Sequence, residues 1–152
     1  MKKLLALIAL LPFAALAAPE ERVVALGGDV TEIVYALGAQ PSLVARDSTS
    51  QWPVAATALP DVGYLRQLNA EGILATRPTL VLASAQAQPS LALKQLEQSN
   101  VRVVTIPASN DLNAIDEKVR VIAEATHREA DGETLRRLNL INVCCLFSIM
   151  AG

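Results

Sequence analysis

The chain has 152 residues, 52% of them hydrophobic and 18% charged, with a formal net charge of −2. That balance suits one globular domain and excludes an intrinsically disordered chain. No basic patch or aromatic–basic alternation appears, so a nucleic-acid partner, which rewards clustered Lys and Arg, is excluded as well.

Met1-Lys2-Lys3 is a basic start, Leu4 to Leu16 is an apolar run broken only by Pro12, and Ala15-Leu16-Ala17 fits the small-x-small cleavage rule. These features predict a signal peptide over 1–17, cut after Ala17. The run is too short to span a bilayer and no stop-transfer pattern follows. No cysteine stands at the cut, so a lipid anchor is not indicated. Losing Lys2 and Lys3 leaves a more acidic product, expected to be soluble and located in the periplasm. That compartment permits disulfides, but the only cysteines are the neighbours Cys144 and Cys145. Adjacent cysteines bridge only through a strained ring, and two make a poor zinc site.

Arg22-Val23-Val24-Ala25-Leu26, ended by Gly27-Gly28, predicts a buried strand. Asp29, three residues before Glu32, has capping-box spacing. Val30, Ile33, Val34 and Leu37 then form a helical apolar face that Gly38 stops. The glycine pair lacks the full dinucleotide fingerprint and reads as a tight turn packing the helix on a sheet. Leu43-Val44-Ala45 is a second short strand. Arg46 to Leu59 is a long polar loop containing Trp52, which either plugs the edge of the core or lines a pocket.

Pro60 to Gly63 leads to Tyr64, with Arg66 two residues on, and Asn69 caps a helix over 70–76 stopped by Pro78. Leu80-Val81-Leu82-Ala83 is the next strand. Pro89-Ser90 opens a helix through Ser99, and Asn100 ends it. Val101 to Ile106 is rich in β-branched residues and predicts a strand. Asp111 or Asn113 caps a helix to about Ala125, with Ile115, Val119 and Ile122 on one stripe. Thr126 to Leu138 reads as a charged, solvent-facing helix weakened by Gly132. From Asn139 the chain loses its charge and its helical stripe. Alternating strands and helices predict an α/β fold: a parallel sheet with helices on both faces. Ligands on such sheets bind at loops beyond the carboxyl ends of the strands.

The runs Val23-Val24-Ala25-Leu26-Gly27-Gly28-Asp29-Val30-Thr31-Glu32-Ile33-Val34-Tyr35-Ala36-Leu37-Gly38 and Leu59-Pro60-Asp61-Val62-Gly63-Tyr64-Leu65-Arg66-Gln67-Leu68-Asn69-Ala70-Glu71-Gly72 resemble the periplasmic haem-binding proteins of bacterial haem-uptake ABC transporters. These belong to the wider group that binds cobalamin and ferric siderophores. The second run is the more specific, and the resemblance covers about 22–138. It implies a non-enzymatic haem carrier that passes its cargo to an inner-membrane ABC permease. It also implies an amino-terminal lobe over 18–125, the start of an interlobe helix over 126–138, and a tail over 139–152 that departs from the family where a second lobe is expected. A frameshift or early stop is the expectation that accounts for both departures. Glu32 is the nearest counterpart of a permease-docking acid, unless it only caps its helix.

The resemblance further implies that Tyr64 ligates the haem iron and that Arg66 assists. Ferric iron prefers an anionic oxygen, and tyrosinate is a known axial haem ligand. A free phenol has a pKa of about 10, and a bound metal or a nearby cation favours its ionised form. Arg66 would bond the phenolate or a propionate, its planar fork suiting carboxylates. Without the family run, a loop tyrosine reads as a packing residue with a wet hydroxyl. Tyr35, inside a helix, reads as packing, and His127, the single histidine, as a solvated surface residue. Three rival readings remain: a cobalamin or ferric-siderophore binder of the same fold, a small flavodoxin-like enzyme or nucleotide binder, and a one-lobed chain whose haem binding is weak or lost. The enzyme lacks a phosphate loop, nucleophile elbow or metal cluster.

Overall fold

A computed structural model describes residues 20–108 and 112–138. The signal sequence over 1–17, the tail over 139–152 and the Asp111 cap lie outside the described residues.

Four strands form one parallel sheet: β1 (Val23–Leu26), β2 (Leu43–Arg46), β3 (Leu80–Ser84) and β4 (Arg102–Ile106), in the order β2-β1-β3-β4. The helices are α1 (Gly28–Ala36), α2 (Ala70–Ala75), α3 (Leu91–Gln98) and α4 (Leu112–Ala125), followed by α5 over 129–138. β1 and β3 are buried at every position, which is why they read as unbroken apolar runs: both faces of the sheet are covered.

Alternation along each strand divides the core in two. Val23, Ala25, Leu80 and Leu82 pack with Val30 and Val34 of α1 and Val119 and Ile122 of α4. Val24, Leu26, Val81 and Ala83 pack on the other face with Ile73 of α2 and Leu93 and Leu96 of α3. Each fully buried Leu or Ile contributes about 1.5–3 kcal/mol, so the two layers together bind the fold.

Local signals act as the sequence suggests at several ends. Ser90 caps α3 by accepting from the Leu93 amide at 3.3 Å, and Asn69 caps α2 by accepting from the Glu71 amide at 3.0 Å. Gly38 and Asn100 take φ values of 68° and 61°, the left-handed turn that terminates a helix.

Two expectations are corrected and one open alternative is decided. Asp29 is not a cap: Gly27 holds that position, without a side-chain cap, and Asp29 sits inside the first turn, paired with Lys118 of α4 at 2.7 Å. Trp52 does not plug the core edge, being 63% exposed. The helix after α4 does not simply face solvent. Leu135 of α5 packs against the α1–α4 core, and a Cβ on Gly132 would lie 2.6 Å from the Ala123 Cβ. Gly132 is the residue that lets α5 lie so close to α4.

Candidate functional site

The register places the loops. Arg46, the last residue of β2, pairs with Ala25 of β1, and Ala25 pairs with Leu82 of β3. On its other side Arg46 makes a parallel bridge to Asp61. The segment Pro60–Val62 therefore runs alongside the end of β2 in the same direction, tied by Arg46 N–H to Pro60 O at 3.0 Å and Val62 N–H to Arg46 O at 2.9 Å. Three residues past Asp61, Tyr64 stands beyond the carboxyl edge of the sheet, where ligands on such sheets bind.

A carboxylate shapes the loop. Asp61 Oδ1 accepts from the Gly63 amide at 2.8 Å and the Ser48 hydroxyl at 2.9 Å, and Oδ2 accepts from Arg46 Nη1 at 2.9 Å. Partial burial raises the Asp61 pKa, but the bonds from Gly63, Ser48 and Arg46 and the Arg46 charge outweigh it. The carboxyl is held below its ordinary value. The Ser48 amide donates to Gly63 O at 2.9 Å, so the Gly63 peptide is pinned at both ends. Gly63 has φ 99°, a conformation that disfavours a side chain.

Tyr64 follows. Its carbonyl accepts from Gln67 N–H at 2.8 Å, and the next residue, Leu65, is buried among Ala70, Ile73 and Leu93. Between a pinned glycine and a buried leucine, the Tyr64 side chain is 45% exposed. Arg66 is exposed too. Among the described residues neither side chain has a hydrogen-bond or ion-pair partner, so both are free to meet a ligand.

Beside this loop lies a second, buried polar knot. Asp47 accepts from the Gly27 amide at 3.0 Å and the Ser50 hydroxyl at 2.6 Å through Oδ1, and from the Thr49 amide at 3.1 Å and hydroxyl at 2.7 Å through Oδ2. Thr31 of α1 donates to Ser50 Oγ at 2.7 Å. The knot fixes the turn after β2 against the β1–α1 turn. A Cβ on Gly28 would come within 3.2 Å of Thr49 O, so the glycine pair serves close packing. Five exposed large apolar side chains stand in the segments that follow the carboxyl ends of β2, β3 and β4: Trp52, Val54, Tyr64, Leu91 and Ile115.

Tyr64 and Arg66 are thus both exposed on the segment that follows the Arg46–Asp61 bridge. His127 is exposed in the turn after α4, at the helix end away from β4, and Tyr35 packs partly buried on the core. Grooves of about 320 and 250 Å³ lie along α5, away from Tyr64. No cluster of three or more His, Cys, Asp or Glu side chains suited to a metal exists among the described residues, and no described helix is long and apolar enough to cross a membrane. Sequence reasoning missed the roles of Arg46, Ser48 and Asp61. The Asp61-Val62-Gly63 triplet carried a usable signal, since Asp often bonds the amide two residues on in a turn.

The chain is a three-layer α/β lobe, a parallel sheet covered by helices on both faces. The sequence model of the periplasmic binding protein family matches residues 23–137, and the chain belongs to that family. It is similar to the vitamin B12-binding protein of Vibrio vulnificus (strain YJ016), 37% identical over 103 residues that cover 68% of this chain and 38% of that protein. Among solved structures, it is similar to the periplasmic haem-binding protein HutB of Vibrio cholerae (36% identity, TM-score 0.79, 85% of this chain and 50% of that one). It is also similar to a periplasmic haem-binding protein from Pseudomonas aeruginosa (41% identity, TM-score 0.72, 75% of this chain and 41% of that one). The chain spans no more than half the length of these relatives.

Proposed function

We propose that this lobe holds ferric haem for delivery to an inner-membrane ABC permease, with Tyr64 as axial ligand to the iron and Arg66 stabilising the phenolate or a propionate. The observation that carries the reading is the partner-free, 45% exposed Tyr64 side chain on a loop pinned at the carboxyl edge of the sheet. A phenolate is a hard, anionic oxygen suited to ferric iron, and a cation nearby favours that ionised form. The flat macrocycle would rest across the rim, where Trp52, Leu91 and Ile115 offer apolar contact.

In the same reading the protein is not an enzyme and works in the periplasm. Residues 1–17 direct export, 18–125 form the amino-terminal lobe, 126–138 begin the interlobe helix and 139–152 depart from the family. Glu32, exposed on α1, is the docking candidate. One lobe supplies one wall of a site, whereas closed pockets bury about 70–90% of a ligand.

Titration of the chain with haemin, followed by optical absorption, tests the reading against Tyr64→Phe. Expected is a high-spin ferric spectrum with a phenolate charge-transfer band, lost in the variant. An unchanged spectrum in Tyr64→Phe sinks the ligand assignment. A second reading, cobalamin, is favoured by the similarity to a vitamin B12-binding protein. A parallel titration with cyanocobalamin decides between them, since binding of the corrin with no haemin band selects the second.

A further inference from the structure

We propose that Asp61 is the positioning residue for Tyr64: its carboxylate gathers three donors from two chain segments and thereby fixes the Gly63 swivel that aims the phenol out of the sheet edge. The proposal rests on the reading of Tyr64 as the ligand-facing group and adds what sets its aim.

The geometry is specific to a carboxylate. Two of its donors come from the β2 side, the Arg46 guanidinium at 2.9 Å and the Ser48 hydroxyl at 2.9 Å; the third is the Gly63 amide at 2.8 Å. The bonds to Arg46 and Ser48 join the loop to the sheet, and the bond to Gly63 closes the turn within the loop. An ionised carboxylate accepts all three, whereas an amide offers one acceptor oxygen and turns an N–H₂ toward the remaining donors. The Arg46 side chain also donates to Asp47 O at 3.0 Å, so the loop clamp and the buried Asp47 knot share one anchor. Without the carboxylate, Gly63, at φ 99°, keeps only the bond from the Ser48 amide to its carbonyl and reaches more of the wide range open to glycine, and the phenol next to it swings accordingly. Leu65 remains buried as the far anchor. The loop would therefore stay attached while the direction of Tyr64 is lost.

The test compares Asp61→Asn and Asp61→Ala with the full chain, with Asp29→Asn as a control. The control breaks the Asp29–Lys118 ion pair between α1 and α4, which shares no residue with the clamp. The first readout needs no ligand: amide hydrogen exchange by NMR. Expected is exchange at Gly63 faster by about tenfold or more in Asp61→Ala, the scale of a lost bond to a charged group, with Leu82 in β3 unchanged. Asp61→Asn is expected to fall between, and Asp29→Asn to leave Gly63 alone. The second readout is haemin titration: affinity down by roughly tenfold in Asp61→Ala, with a shifted phenolate band. Unchanged Gly63 exchange in Asp61→Ala overturns the clamp. Faster exchange with an unaltered haemin band and affinity overturns its role in aiming Tyr64. If the parent chain gives no Tyr64-dependent haemin band, the haem reading fails by itself. Gly63 exchange and the Tyr64 ring-proton shifts, compared between parent and Asp61→Ala, then still decide whether Asp61 sets the loop.

Discussion

Adding a single methyl at Gly132 probes how α5 is held. The Cβ of Gly132→Ala would sit 2.6 Å from the Ala123 Cβ, well inside van der Waals contact. Two effects compete. Replacing glycine in a helix interior gains about 1 kcal/mol of propensity. Forcing a methylene-sized group into a packed contact costs about 1–3 kcal/mol. Ala123 is buried in α4 and cannot swing aside, so relief requires α5 to lift, loosening Leu135 from the core and the 3.8 Å Arg136–Asp116 pair. The contact term should win, leaving Gly132→Ala less stable by about 1 kcal/mol in urea denaturation followed by circular dichroism. The sharper measurement is the cycle with Ala123→Gly. Moving the methyl from α4 to α5 restores the spacing, so the double variant should exceed the additive expectation by about 1 kcal/mol or more. Additive behaviour, or a Gly132→Ala variant more stable than its parent, would refute the claim that this contact seats α5.

Two further outcomes follow from the carboxylates at the sheet edge. Asp47→Ala leaves the Gly27 and Thr49 amides without their buried acceptor and is expected to cost about 3 kcal/mol, read as a lowered urea midpoint, with Ser50→Ala costing about 1 kcal/mol. Asp61 is held below its ordinary pKa by donors from Gly63, Ser48 and Arg46 that outweigh partial burial. A carboxyl with a lower pKa folded than unfolded binds fewer protons when folded, so its stabilisation is present above the unfolded value and lost as pH falls through the folded one. Gly63 amide protection, corrected for intrinsic rate, should stay level from neutral pH to about 5 and decline below about 4. A flat profile down to about pH 2 would contradict the clamp.

Much of the fold was written locally. β1 and β3 are legible because both faces are covered and no polar residue interrupts them. Gly38, Ser90, Asn69 and Asn100 mark helix ends because each acts on backbone groups within a few residues. Asp29 misled for the converse reason: its partner Lys118 lies 89 residues away, and spacing within one helix cannot show that. Gly132 read as a weakness because propensity is a property of one helix, while its role is a contact between two. At the site, Tyr64 and Arg66 were visible through their run of neighbours and not through chemistry alone. The Asp61 clamp draws on Arg46 and Ser48, which become its neighbours only when β2 and the loop pair. The buried Asp47–Ser50–Thr31 knot likewise joins three segments that sequence periodicity treats as separate. The exposure of Trp52 was open in the sequence because a lone aromatic in a loop suits either side of a surface.

The strand order has a consequence for how the polypeptide matures. β1 is made before β2 and β3, yet it lies between them and pairs along its whole length with Leu80–Ala83. A nascent chain therefore carries its most apolar strand with one flank bare until β3 emerges, and closing that span costs entropy before any pairing repays it. Until then, a chaperone that shields unpaired strand edges would meet β1 as its first client surface.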